Sequence, residues 1–240
     1  MLSTLRRPRW LAAALVVTAL AGLFIRLGLW QLDRLDERRA ENKLGAERLG
    51  ADPVDLFTVL TDIAPSDLEY RRVTVTGRFT PEEEVLIRSQ TYRGSAGFHV
   101  VTPIDTGAGA VLVNRGWVPL TEDRVPVTQA APPAGEVTIE GWVHVTQTRP
   151  PLGPEEPPGY LEILNRVDID RIQQQVTVEL TPVYVIALGE RGGGLPEPVE
   201  PPDFSEDGPH LAYAIQWFSF AAIGLVGFYF LVRRRGDQPR

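Results

Sequence analysis

LAYAIQWFSFAAIGLVGFYFLV, residues 211–232, runs for 22 residues without a charge. Its reading decides the fold. A bilayer's hydrocarbon core takes roughly 20 consecutive apolar residues of helix, so this stretch is long enough to cross one. Near the other end WLAAALVVTALAGLFIRLGLW, residues 10–30, has the same character and a single charge, Arg26. The mean hydropathy of the whole chain is −0.08, too low for a polytopic channel or carrier. Residues 31–209 are polar enough to form one ordinary domain.

Basic flanks set an expected orientation. Arg6, Arg7 and Arg9 precede the first span, and Arg233, Arg234 and Arg235 follow the second. Lys and Arg next to short flanks stay on the cytoplasmic side. Residues 1–9 and the tail 233–240 are therefore expected in the cytoplasm, with spans at 10–30 and 210–232 and an extracytoplasmic region at 31–209. Residues 31–210 hold 16 Lys and Arg against 30 Asp and Glu, a strongly acidic region on the outer side of a bacterial-type cell membrane. A cleavable signal peptide is the competing reading of the first span, because Ala19-Leu20-Ala21 resembles a cleavage site. The apolar run continues past Ala21 to Trp30, which favours an uncleaved anchor.

Composition excludes several kinds of chemistry. The chain has no cysteine and one methionine. Disulfide stapling, thiolate nucleophiles and thiolate metal sites are therefore unavailable, as are the soft ligands expected of a copper carrier. No G-x-S-x-G, H-E-x-x-H, Walker loop or G-x-G-x-x-G occurs, and the chain is not expected to be an enzyme. An acidic domain also argues against nucleic acid.

Between the spans, LDRLDERRAENKLGAERL (32–49) predicts an amphipathic helix that prolongs the first span, with its charges on a solvated face. A short connecting segment with Asp52-Pro53 and Ala64-Pro65 follows. A β domain is expected over 70–188. Its strands are Arg72–Phe79, Glu84–Arg88, Phe98–Ile104, Ala110–Leu120, Glu136–Thr146 and Pro182–Leu188, rich in Val, Ile, Thr and aromatics and bounded by Gly, Pro and Asp. Most intervals are too short for helical crossovers, so the sheet is expected to be mainly antiparallel, a small barrel or sandwich. One helix, Val167–Gln175, interrupts it. Arg149–Gly159, with five prolines, reads as an extended surface loop. A Pro/Gly linker over 190–209 leads to the second span. The fold class is thus a membrane-anchored α+β protein, two transmembrane helices flanking a β domain.

His210 is the sharpest candidate site. Asp207-Gly208-Pro209 reads as a helix start, and His210, Tyr213 and Trp217 share one helix face. An interfacial belt of aromatic side chains is one reading. The other is an axial iron ligand at a helix N-terminus that favours carboxylates such as haem propionates. Gln216, a polar group inside the apolar run, wants a partner. Arg26 lies four residues before Trp30 on one face; it either snorkels to headgroups or pairs with an acidic group at the outer mouth of the spans. Asn114-Arg115-Gly116-Trp117 reads as a turn between two strand halves, with Arg115 and Trp117 exposed. His99 and His144 sit in strand patterns with no second histidine at ligand spacing. Glu82-Glu83-Glu84 reads as a solvated run.

Several stretches together carry a resemblance: LGLWQLDR (27–34), YRRVTVTGRF (70–79), FHVVTPI (98–104), VLVNRGWVP (111–119), GWVHVTQTRPP (141–151) and HLAYAIQWF (210–218). In this order they resemble the Surfeit locus protein 1 family over nearly the whole chain. The resemblance implies an assembly factor, or chaperone, for haem-copper cytochrome c oxidase in the respiratory chain, one that assists delivery of haem a to the catalytic subunit and works with other assembly factors. It implies haem-iron ligation by His210. Tyr213, Gln216, Trp217, Arg26 and Trp30 would shape the cofactor site, and Gly28, Trp30, Gln31 and Arg34 match the exit motif of the first span. Gly208 stands where the family pattern leads one to expect asparagine. The alternative is a cofactor-free, membrane-anchored scaffold that grips an oxidase subunit through its extracytoplasmic domain.

Overall fold

A computed structural model describes residues 8–153, 155–189 and 193–236. Residues 1–7 with Arg6 and Arg7, residues 190–192 at the head of the expected linker, Pro154 in the proline-rich loop, and the tail from 237 lie outside the described residues. The chain forms two compact units. One holds the residues up to Leu44 and those from Asp203 on; the other is Gly45–Pro202.

Helix α1 (Pro8–Gly50), which belongs to the first unit up to Leu44, is a single helix of 43 residues, so the expected amphipathic helix is its unbroken continuation, and Gly45 does not end it. Helix α4 spans His210–Gly236. Both are long and apolar enough to cross a membrane.

The second unit is a closed barrel with additions. Its strands are β1 (Val54–Asp55), β2 (Arg72–Phe79), β3 (Val85–Tyr92), β4 (Ser95–Asp105), β5 (Ala110–Pro119), β6 (Glu136–Val145), β7 (Ile163–Leu164) and β8 (Leu180–Ala187). The order β2-β6-β8-β5-β4 closes when Arg78 and Phe79 of β2 pair with Asp105 and Ile104 of β4. The β5–β8 pairing is parallel and the other four barrel pairings are antiparallel. Strand β4 is long enough to share its second edge between β2 and β3.

Alternation explains the packing. Val73, Val75, Ile104, Val111, Val113, Val143, Val183 and Val185 come from all five barrel strands and are fully buried in one cluster with Leu56 and Leu68. Small β-branched side chains fill the lumen of so narrow a barrel, each contributing roughly 1.5–3 kcal/mol on full burial. Their sequence neighbours Leu112, Trp142, Tyr184 and Ile186 form a second cluster with Leu164, Ile169 and Ile172. That cluster is covered by β7 and by helix α3 (Ile169–Gln173), which is shorter than expected because Asp168 caps it by accepting from the Arg171 amide.

Three expectations are corrected here. The segment after Pro53 contains a helix, α2 (Leu56–Asp62), whose amide at Thr58 is capped by Asp55 at 2.9 Å. Asn114-Arg115-Gly116 is no turn: the pairing of β5 with β4 slips between Val100 and Val101, making Arg115 the extra residue of a β-bulge inside one continuous strand. Gly116 does take a positive φ of 132°, but a Cβ there would also lie 2.3 Å from the Glu197 carbonyl oxygen. Glycine is needed because Glu197 pairs back beside the bulge, with Trp117 N donating to Glu197 O at 2.7 Å and Glu197 N to Trp117 O at 2.8 Å.

The third concerns exposure. Arg115 and Trp117 are not exposed, and Glu84 is not solvated. Glu84 is wholly buried, accepting from Arg115 at 2.6 Å, Thr102 at 2.6 Å and the Val127 amide at 2.8 Å. Arg115 also donates to the Ala130 carbonyl. Burial lowers the Arg115 pKa and Glu84 opposes that. A buried charge pair needs all its hydrogen bonds satisfied, and this one ties the bulge to the loop at 127–130.

Candidate functional site

The buried positions of α1 within the helical unit are Ala21, Gly28, Leu35 and Asn42, a strict seven-residue spacing. On α4 they are Ala214, Ala221 and Val232. The small residues among them, Ala21, Gly28, Ala214 and Ala221, let the two helices pack closely. The contacts run in antiparallel order: Trp10 meets Phe228, Phe24 stacks on Trp217 at 5.6 Å, and Arg39 bonds Asp207. Gly28 has a steric reason, since a Cβ there would lie 2.6 Å from the Phe218 ring. Asn42, buried, donates to the Glu206 carbonyl at 3.0 Å and fixes the register of the pair.

His210 is half-buried at the first turn of α4. Gly208 takes φ 72°, and Tyr213 N donates to Pro209 O, closing the first turn. Asparagine, the residue expected at 208, is the non-glycine type most at ease in the left-handed region, so Gly208 preserves the backbone. The imidazole turns toward α1, where Nδ1 lies 2.9 Å from Gln31 Oε1. A carbonyl oxygen only accepts, so Nδ1 carries a proton and donates; in the neutral ring this leaves Nε2 as the bare nitrogen. Among the described residues Nε2 has no partner. This is how a ligating imidazole is oriented: the second nitrogen donates to a fixed oxygen.

The sequence-predicted residues separate into two groups. His210 and Trp217 face α1. Tyr213, Gln216, Arg26 and Trp30 are exposed, and Gln216 has no hydrogen bond among the described residues. Tyr213 keeps the helical spacing that places it on one face with His210 and Trp217, and its ring is exposed. Gln31, matched in the sequence only as part of an exit motif, is the residue that engages His210; its signal was its place seven residues after Phe24, on the packed face of α1.

The donor set suits one axial imidazole. The groove between the helices lined by Val17, Leu20, Ala21, Phe24, Phe220, Ala221 and Gly224 measures about 80 Å³, too small for a porphyrin, and it lies seven or more residues along the helices from Gln31 and His210. Ligand sites run to roughly 300–1,000 Å³. Trp30 and Tyr213, both exposed, stand in the chain next to Gln31 and three residues from His210, respectively. No group of three or more His, Asp or Glu able to hold a bare metal ion occurs among the described residues.

The model of the SURF1 family matches residues 18–222. A SURF1-like protein of Mycobacterium tuberculosis is 33% identical over 234 residues, covering 94% of this chain and 84% of its own length. One from Monosiga brevicollis is 30% identical, covering 88% and 84%. The cytochrome oxidase assembly protein SHY1 of Saccharomyces cerevisiae is 33% identical over 102 residues, which are 41% of this chain and 25% of SHY1.

Proposed function

Because this chain belongs to the SURF1 family, we propose that it is a membrane-anchored, non-enzymatic assembly factor for haem-copper cytochrome c oxidase that helps deliver haem a to the catalytic subunit. The yeast relative's role in oxidase assembly supports the coarse reading. The Gln31–His210 hydrogen bond carries the finer one: it holds the proton on Nδ1 and leaves Nε2 as a ligand for iron. Bound haem would supply the cargo. The chain's own residues hold the imidazole through Gln31 and keep the helix pair closed through Ala21, Gly28, Ala214 and Ala221. Basic Arg9 and Arg233–Arg235 orient both termini to the cytoplasm and the barrel outward.

A scaffold without cofactor is the second reading, favoured by the small volume between the helices. Complementation separates the two. In cells lacking the protein, oxidase activity and haem a in the catalytic subunit are expected to fall. The wild type restores both; His210→Ala restores the level of the protein but not the haem. Full rescue by His210→Ala leaves the scaffold reading.

A further inference from the structure

On the outer face of the barrel wall the strand register brings together residues that lie far apart in the sequence. A cavity of about 190 Å³ is lined by Gln90, His99, Asn114, His144, Gln147 and Tyr184, with Ile87, Val167 and Ile186. A second, of about 390 Å³, shares Gln90 and His99 and adds Tyr92, Arg93, Trp117 and residues 198–200. Two β-bulges border this region, one in β3 between Ile87 and Gln90 and one at Arg115. Bulges re-aim side chains and gather near sites.

The hydrogen-bond roles can be worked out atom by atom. Asn114 Oδ1 accepts from the Gly116 amide at 3.1 Å. Its Nδ2 therefore faces His99 Nδ1, at 3.0 Å, and donates to it. His99 Nδ1 must be the bare nitrogen, so Nε2 carries the proton. Burial agrees, lowering the His99 pKa to about 4. A ring held in this tautomer is a donor and not a metal ligand through Nε2. Tyr184 accepts from Gln147 Nε2 at 3.1 Å, which leaves its own hydroxyl proton unspent, and burial keeps the phenol neutral by raising its pKa. Among the described residues neither the His99 Nε2–H nor the Tyr184 O–H has an acceptor.

We propose that this pair of cavities binds a flat, uncharged molecule carrying carbonyl oxygens, of the class and size of a quinone ring. His99 and Tyr184 donate to the carbonyls. The Tyr92 and Trp117 rings, 5.5 Å apart, give an aromatic wall in the larger cavity. No Lys or Arg lines the smaller one, and the acidic domain disfavours anions, so a neutral acceptor suits it better than a carboxylate. The Tyr92 hydroxyl donates to Glu197 at 3.1 Å, tying residues 193–202 beside the larger opening. The proposal concerns binding alone and is independent of His210.

The test uses the full-length protein in detergent, 15N-labelled at His and Trp, titrated with duroquinone. Saturable shifts of the His99 Nε2–H and Trp117 indole N–H signals are expected, with affinity roughly tenfold weaker in Tyr184→Phe and in His99→Gln. The Trp142 indole signal reports folding. If His99→Gln does not fold, Tyr184→Phe decides alone, since it removes only a hydroxyl. A titration without saturation, meaning that the polar cavity holds water only, overturns the proposal. So do shifts that persist unweakened in Tyr184→Phe.

Discussion

Gln31 and His210 stand 179 residues apart in the chain and meet at 2.9 Å across two antiparallel helices. The carbonyl oxygen of one fixes the proton of the other. Gln31→Leu is therefore expected to weaken haem a retention by roughly 10–100-fold without loss of helical content. Gln31→Glu, which still offers an acceptor to Nδ1–H, is expected to retain most of it. Absorbance titration gives the affinity, and the His210 15N shifts report the tautomer directly.

Gly28 sets how closely the helices approach. Gly28→Ala places a Cβ 2.6 Å from the Phe218 ring, and overpacking of this kind costs about 1–3 kcal/mol. Thermal unfolding in detergent is expected to show that loss. Adding Phe218→Leu should recover most of it.

The Glu84–Arg115 pair is buried, its side chains 0% and 7% exposed. Arg115→Met strands a buried carboxylate and is expected to cost about 3–5 kcal/mol, read as a shift in the urea midpoint of the barrel. Replacing both, Glu84→Leu with Arg115→Met, is expected to cost less than either change alone.

His99 makes the barrel acid-sensitive. Its folded pKa of about 4 lies below the ordinary 6.5, so between those values the unfolded chain binds a proton that the folded chain refuses. Stability from this group is present above pH 6.5 and falls as pH drops toward 4, by up to about 3 kcal/mol. Wild type should lose thermal stability over that window more steeply than His99→Gln. His144 and Tyr184 line the same cavity, and Arg93 and Glu200 line its neighbour, so the difference between the two proteins, and not either curve alone, isolates His99.

The spans and most strands could be read from the sequence because each is a local pattern: an uncharged apolar run, or Val, Ile and Thr in alternation between Gly and Pro. The bulge at Arg115 could not. An Asn-x-Gly reads as a turn unless β4 is known to continue past it. Glu84 looked solvated beside Glu82 and Glu83, and its burial follows from Arg115, 31 residues on. His99 and His144 lack any ligand spacing along the chain, yet β4, β5, β8 and β6 lie side by side and bring them to one cavity. At the helix pair, His210 stood out as an ionisable group at the mouth of an apolar run. Gln31 did not, because its partner lies on the far side of the whole barrel sequence.

The most direct measurement is the visible spectrum of the detergent-purified protein from cells that make haem a, wild type beside His210→Ala. A Soret band in the wild type that is lost in a folded His210→Ala protein is the expected result. A wild type without the band, or a variant with unchanged haem content, contradicts ligation at His210.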